Sequence, residues 1–194
     1  MRDARPWTYA AVLGSLWGAA ELSLGALLSA ARIPLSGLFM ASIGVICLVT
    51  ARRLTPAVGS SLVMGAVVAF LKVFSLGGFI VGPVLGILTE AVAVELTMTV
   101  TASRAPGAVA GGALALASAP AWLLVSAALL TGPEAAVALD RALKVAAATL
   151  GWHGTVTGAL AASALAASAL LGALVGALAW RLAGRVARRL GDTR

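Results

Sequence analysis

The sequence predicts an all-α integral membrane protein with six transmembrane helices and both termini in the cytoplasm. Hydrophobic residues make up 61% of the 194 residues and charged residues only 11%, whereas a soluble domain carries roughly 25% charged residues. The mean hydropathy is +1.03. A water-soluble fold of this length could not bury so much apolar surface. The whole chain, residues 1–194, is therefore interpreted as a single transmembrane domain.

Each predicted helix is an apolar stretch near the length of about 20 residues that crosses a bilayer, bounded by charged residues, glycine or proline. The predicted spans cover residues 7–28, 35–50, 57–74, 79–101, 108–130 and 155–180. A basic tail over residues 181–194 continues the last helix. Between helices 5 and 6, apolar and charged residues alternate over residues 134–148, which predicts a short amphipathic helix on the outer membrane surface.

The distribution of lysine and arginine predicts the orientation. With the amino terminus inside, the inner segments carry ten basic residues and the outer segments four, and cytoplasmic loops are the basic ones in membrane proteins. Trp7 and Trp180 then lie at the inner interface, where tryptophan anchors are common. The net charge of +7 is therefore explained by topology and not by a nucleic-acid partner. We expect a multi-pass protein of a bacterial or archaeal cytoplasmic membrane.

Charged side chains within the hydrocarbon layer cost a few kcal/mol or more each, so their positions are candidates for function. Glu21 lies in the outer half of helix 1 on a face rich in glycine, which places it inside the bundle. Glu90 lies near the middle of helix 4 on a face shared with Pro83 and Gly86. Lys72, near the outer end of helix 3, is either a snorkelling lysine or part of the same site.

Aromatic side chains and the single histidine fall in the same outer half. A histidine beside tryptophan is either an interfacial residue or a ligand, but aromatic faces with a few converging polar groups are typical of small-molecule pockets. The predicted substrate-binding residues are Glu21, Lys72, Glu90, Trp122, Trp152 and His153.

Glu90 needs either a proton or a partner, because an unpaired carboxylate near the middle of the membrane is costly. Lys72 and a bound cationic or hydrogen-bonding ligand are the two candidate partners. Glu95 points about 140° away on the same helix. It is predicted to pair with a basic inner loop or to contact a partner subunit.

The sequence carries no motif of an enzyme or a metal site. One histidine and one cysteine cannot form a His/Cys metal centre, and neither a His-Glu-x-x-His nor a Gly-x-Ser-x-Gly motif occurs. We therefore predict no catalytic residues, no cofactor and no metal. The sequence contains no Walker motif either, so any energy for transport is expected from a partner or an ion gradient.

Small residues recur at four-residue spacing on helices 1 and 6, a pattern that lets helix backbones approach closely in a membrane. Helix 1 carries two such stripes, Ala10, Gly14 and Gly18 beside Ala11, Ser15 and Ala19. Helix 6 carries Ala164, Ser168, Gly172 and Gly176. Each stripe either packs within the chain or docks another membrane subunit.

Three segments resemble the substrate-binding S components of energy-coupling factor (ECF) transporters: residues 13–22 (LGSLWGAAEL), 32–37 (RIPLSG) and 77–90 (GGFIVGPVLGILTE). Chain length, predicted spans and inside termini also resemble that family. The resemblance implies a subunit that binds a vitamin or vitamin precursor from outside. It also implies association with a membrane coupling subunit and two cytoplasmic ATPase subunits.

The same resemblance implies where the coupling subunit docks, because family members often contact it through an Ala-x-x-x-Ala-like motif in helix 1. The candidate docking residues here are Ala11, Ser15 and Ala19, or Gly14 and Gly18 with Ala10. The alternative hypothesis is a non-transporting membrane scaffold or assembly protein whose small-residue stripes bind partner helices.

Overall fold

The computed structural model describes residues 5–31, 35–74, 81–131, 137 and 157–192, and these residues are helical apart from short connections. The helices are α1 (Arg5–Ala30), α2 (Ser36–Leu54), α3 (Ser60–Val73), α4 (Val81–Val100), α5 (Ala105–Thr131) and α6 (Thr157–Asp192). The all-helical prediction is confirmed for this part of the chain. The predicted amphipathic segment, residues 134–148, lies outside the described residues except for Val137.

Four of these helices are long and apolar enough to cross a membrane. The stretches that qualify are Trp7–Leu28, Ser36–Leu54, Val81–Val100 and Ala162–Leu190. The first of them has the boundaries that the sequence predicted. Helix α3 is also apolar but has only 14 residues.

Two helices continue through basic residues, α2 against the prediction and α6 in agreement with it. Helix α2 does not end before Arg52 and Arg53 but includes both in its last turn, where cations interact favourably with the helix dipole. Likewise, the basic tail does not follow the last span as a separate segment, because α6 continues to Asp192. The sequence prediction of a continuing helix after Trp180 is thus confirmed.

Two further boundaries follow from glycine and proline. Helix α3 begins at Ser60 rather than at Ala57. Gly59 has a φ of 89°, a left-handed conformation that cannot be part of a right-handed helix. Helix α5 begins at Ala105, three residues before the predicted start, because Pro106 fits the first turn, where its missing N–H is not needed.

Helix α2 lies at the centre of the bundle and contacts each of the other five helices with described bounds. Its core residues Val45, Leu48 and Val49 are completely buried. Neighbouring helices α1 and α3, α3 and α4, α4 and α5, and α5 and α6 also pack against one another. A site formed around α2 can therefore draw side chains from several helices at once.

Helices α5 and α6 approach each other backbone to backbone. A Cβ atom added at Gly172 would collide with the Gly112 carbonyl oxygen, and one at Gly176 would collide with that of Ala108. The small-residue stripe of α6 is thus used for packing within the chain at these two glycines, as glycine stripes in membrane helices often are.

The two stripes of α1 face different environments. Ala10, Gly14 and Gly18 are buried, and positions 14 and 18 contact Met64 and Leu71 of α3. The second stripe, formed by Ala11, Ser15 and Ala19, is exposed on the outside of the bundle. The buried stripe therefore joins α1 to α3, and the exposed stripe is the one available to another helix.

The glycine contact between α5 and α6 is expected to be necessary for stability. Gly172→Leu places a side chain against Gly112 and against Leu116, whose Cβ lies only 2.9 Å from an added Cβ. Overpacking of this kind costs about 1–3 kcal/mol, so the melting temperature in detergent should fall. Ala167→Leu, at an exposed position of the same helix, is the matched control. Equal melting temperatures for the two variants would contradict this packing.

Candidate functional site

Glu21 and Lys72 form an ion pair at one end of the bundle, between α1 and α3. Lys72 Nζ lies 2.9 Å from Glu21 Oε2 and donates a hydrogen bond of 3.0 Å to the Glu21 carbonyl oxygen. The side chains are only 12% and 8% exposed. The ammonium group of Lys72 is therefore paired inside the bundle and does not extend to the membrane surface.

Gly25 provides the space for this pair. A Cβ atom at this position would lie 3.0 Å from Lys72 Nζ and 3.2 Å from Glu21 Oε2. Met40 of α2 reaches the same point, with its Cε 3.8 Å from the added Cβ. The ion pair is thus enclosed by three helices, and the two charges compensate each other within the chain.

Glu90 lies deeper in the bundle, where α4 meets α1 and α2. A Cβ atom added at Gly44 of α2 would lie 2.6 Å from Glu90 Oε2 and 2.8 Å from Trp17 Cζ2. Glu90 and Trp17 therefore both pack on the bare backbone of Gly44, and any larger residue there would displace them. Glu21 lies close enough to Glu90 for their charges to interact.

The polar atoms around Gly44 lack partners. Neither Glu90 Oε2 nor Trp17 Nε1 has a hydrogen-bond partner among the described residues, although both atoms are fully buried. Lys72, the predicted alternative partner of Glu90, is already bound to Glu21. An unsatisfied buried polar group costs about 1–3 kcal/mol, and more when it is charged. We therefore expect these two groups to bind a partner that is not among the described residues.

One helical turn from Glu90, on the same face of α4, there is space next to Gly86. No described atom lies within 4 Å of the position that a Cβ at Gly86 would occupy. This is the opposite of Gly44, Gly107 and Gly111, where a Cβ would meet close neighbours. On the face of α4 that carries Glu90, the position one turn earlier is therefore not covered by another described helix.

Trp122 contacts a different face of α4. Its Nε1 donates a hydrogen bond of 2.9 Å to Thr89 Oγ1, and Thr89 in turn donates to the Leu85 carbonyl oxygen. This contact joins α5 to α4 at Thr89, the residue before Glu90. No described contact joins Trp122 to the Glu90 carboxyl group. Trp152 and His153, the other two predicted site residues, lie outside the described residues.

Glu95 belongs to a separate network at the opposite end of the bundle. Its two carboxylate oxygens accept hydrogen bonds from the backbone N–H groups of Gly59, at 2.7 Å, and Ser61, at 3.1 Å, which begin α3. Arg52 Nη1 lies 3.8 Å from Glu95 Oε1, and Arg52 Nη2 donates to Thr99 Oγ1 at 2.9 Å. The predicted basic partner of Glu95 is Arg52, which lies in the last turn of α2 and not in a loop.

Trp17 and Gly44 are not among the site residues that the sequence predicted. Trp17 precedes Glu21 by one helical turn and shares its face, so the spacing could have revealed it. Gly44 could not have been found this way, because its role depends on a contact between α2 and two other helices. Among the described residues no group of three or more metal-ligating side chains occurs.

A double-mutant cycle tests the Glu21–Lys72 pair. Removing one member leaves a buried charge alone, so Glu21→Gln and Lys72→Met should each destabilise the protein by about 3–5 kcal/mol. The double variant should lose much less than the sum. Arg104→Met removes an exposed cation at the other end of the bundle and is the control for charge loss alone. Strictly additive effects, measured by unfolding in detergent, would contradict the pairing.

Comparisons with protein-family models, with curated proteins and with solved structures find no match to this chain. The geometry of the bundle and its polar groups therefore carries the functional argument.

Proposed function

We propose that this protein is the substrate-binding membrane subunit of an ECF-type importer, which takes up a vitamin or a vitamin-like small molecule. In this proposal the chain crosses a bacterial or archaeal cytoplasmic membrane six times, with both termini in the cytoplasm. A membrane coupling subunit and two cytoplasmic ATPase subunits supply the energy.

The observation that carries the proposal is the unpartnered carboxyl group of Glu90 beside the unpartnered Trp17 indole N–H. Together they offer a hydrogen-bond donor, an aromatic surface and a group that binds cations or hydrogen-bond donors. Pockets for small molecules combine a few such polar groups with apolar walls. The uncovered position at Gly86, one turn from Glu90, is the side from which we expect a ligand to approach.

The Glu21–Lys72 pair has a supporting role in this proposal. It lies nearer the end of α3, and its charges are already matched, so it neither requires a ligand nor repels one strongly. Through its interaction with Glu90 it places a second carboxylate near the binding group. A ligand with a positive charge or several N–H donors fits this surrounding best.

A non-transporting scaffold is the second candidate, and the exposed stripe of Ala11, Ser15 and Ala19 favours it. A scaffold explains that stripe but gives no reason to bury Glu90 without a partner. Mass spectrometry of the gently purified protein separates the two candidates. A co-purified small molecule supports the importer subunit, whereas a stoichiometric membrane partner without any ligand supports the scaffold.

Glu90→Gln is expected to weaken binding of the co-purified molecule by about 5- to 150-fold, which corresponds to about 1–3 kcal/mol. The melting temperature without ligand should hardly change, because Glu90 Oε2 has no partner to lose among the described residues. Both quantities are measured on the purified variant, the affinity by titration calorimetry.

Glu95→Gln is the matched control on the same helix. It weakens the contacts to Arg52 and to the start of α3, so it should lower the melting temperature and leave the affinity unchanged. Gly86→Leu adds bulk one turn from Glu90 at a position where an added Cβ has no close neighbour, so it should abolish binding without destabilising the fold. If Glu90→Gln binds with wild-type affinity, Glu90 is not part of the site.

The exposed stripe of α1 is expected to dock the coupling subunit. Ser15→Leu adds bulk to that stripe and should block co-purification with the coupling subunit and the ATPases, since close helix approach requires small residues. Ligand binding should survive, because Ser15 points away from the bundle. Ala167→Leu, an exposed change on α6, should leave assembly intact. Normal assembly of Ser15→Leu would show that the stripe does not dock the partner.

A further inference from the structure

A basic pocket lies between the end of α2 and the last turns of α6. It has a volume of about 290 Å³ and is lined by Arg53, Trp180, Arg181, Gly184, Arg185 and Arg188. Four of its six lining residues are arginines. This pocket is at the opposite end of the bundle from the Glu21–Lys72 pair, and the function proposed above does not use it.

Arg53 is held in place at the centre of this basic pocket. Its guanidinium carbon lies 3.9 Å from the centroid of the Trp180 ring, and its Nη1 donates a hydrogen bond to the Trp180 carbonyl oxygen. The guanidinium group also covers Gly184, where an added Cβ would lie 2.5 Å from Nη2. A stacked, hydrogen-bonded arginine with unused N–H groups is prepared to bind an anion with little loss of entropy.

No described carboxylate neutralises this pocket. The structure describes the acidic side chains of Glu21, Glu90 and Glu95, and none of them lines it. The side chain of Asp192, which ends α6, is outside the described part. Glu95 is bound to Arg52 and to the start of α3. Like charges gathered around one cavity repel one another, and a bound anion removes that repulsion.

The surroundings of the pocket show what kind of anion fits. Leu174, Leu178 and Leu182 are 64%, 61% and 47% exposed along α6, directly before and beside the arginines. They form an apolar strip that leads along the helix to the basic pocket. Trp180 lines the pocket together with the arginines, and tryptophan is common at the interface between hydrocarbon and headgroups. An anion that also carries acyl chains matches both the strip and the arginines.

We propose that the basic pocket binds the phosphate headgroup of an anionic phospholipid, whose acyl chains lie along the exposed leucines of α6. Basic pockets between membrane helices bind anionic headgroups in this way. The lipid neutralises the arginines and holds the end of α2 to the end of α6. It does so whatever molecule the protein transports.

Native mass spectrometry with defined lipids tests this proposal. The full chain in detergent is titrated with phosphatidylglycerol, and with phosphatidylcholine as a neutral phospholipid of the same chain length. We expect the wild-type protein to retain phosphatidylglycerol preferentially. Arg53→Gln and Arg185→Gln should each weaken that retention about fivefold, the effect of about one lost basic contact near a membrane surface. Arg185 is exposed, so its substitution should not destabilise the fold.

Arg104→Gln is the control, because Arg104 is an exposed arginine outside the pocket. Equal retention of phosphatidylglycerol in the pocket variants and in this control would overturn the proposal. Displacement of the lipid by inorganic phosphate at millimolar concentration would also overturn it, since the natural ligand would then be a soluble phosphate. Retention that depends on Arg53 and Arg185 and resists inorganic phosphate supports the lipid.

Discussion

A carboxylate in a membrane helix needs a partner, and this requirement organises the interior of the bundle. Glu21 is compensated by Lys72, and Glu95 by Arg52 and by the first N–H groups of α3. The first pair joins α1 to α3. The second joins α4 to α2 and to the start of α3. Glu90 is equally buried and has no such compensation among the described residues. That difference makes Glu90 the candidate for a ligand contact.

Close backbone approach determines where the uncompensated group lies. Gly44 belongs to the central helix α2, and its missing side chain leaves the space that Trp17 and Glu90 occupy. Glycine also permits close approach between α5 and α6, but there the two backbones themselves come into contact. At Gly112, Gly172 and Gly176 no polar side chain is among the nearest contacts. Small residues thus give tight packing between α5 and α6 and a polar centre around α2.

Much of the fold follows from local properties of the chain. The apolar stretches predicted the helices of the described part, and glycines on one face correctly indicated that Glu21 is buried. Contacts between distant segments could not be predicted in this way. The sequence suggested Glu90 as the partner of Lys72 and did not indicate its pairing with Glu21. It left open which stripe of α1 is exposed. It also gave no sign that Arg53 stacks on Trp180, 127 residues away.

The central claim is that the partner of Glu90 comes from outside the chain. An electron cryomicroscopy map of the protein, purified gently enough to keep bound small molecules, tests it most directly. We expect density for a non-protein molecule within hydrogen-bond distance of Glu90 Oε2 and beside the Trp17 indole. A side chain of the protein itself in that place, donating to Glu90 Oε2, would contradict the account, because the carboxyl group would then be a structural element of the bundle.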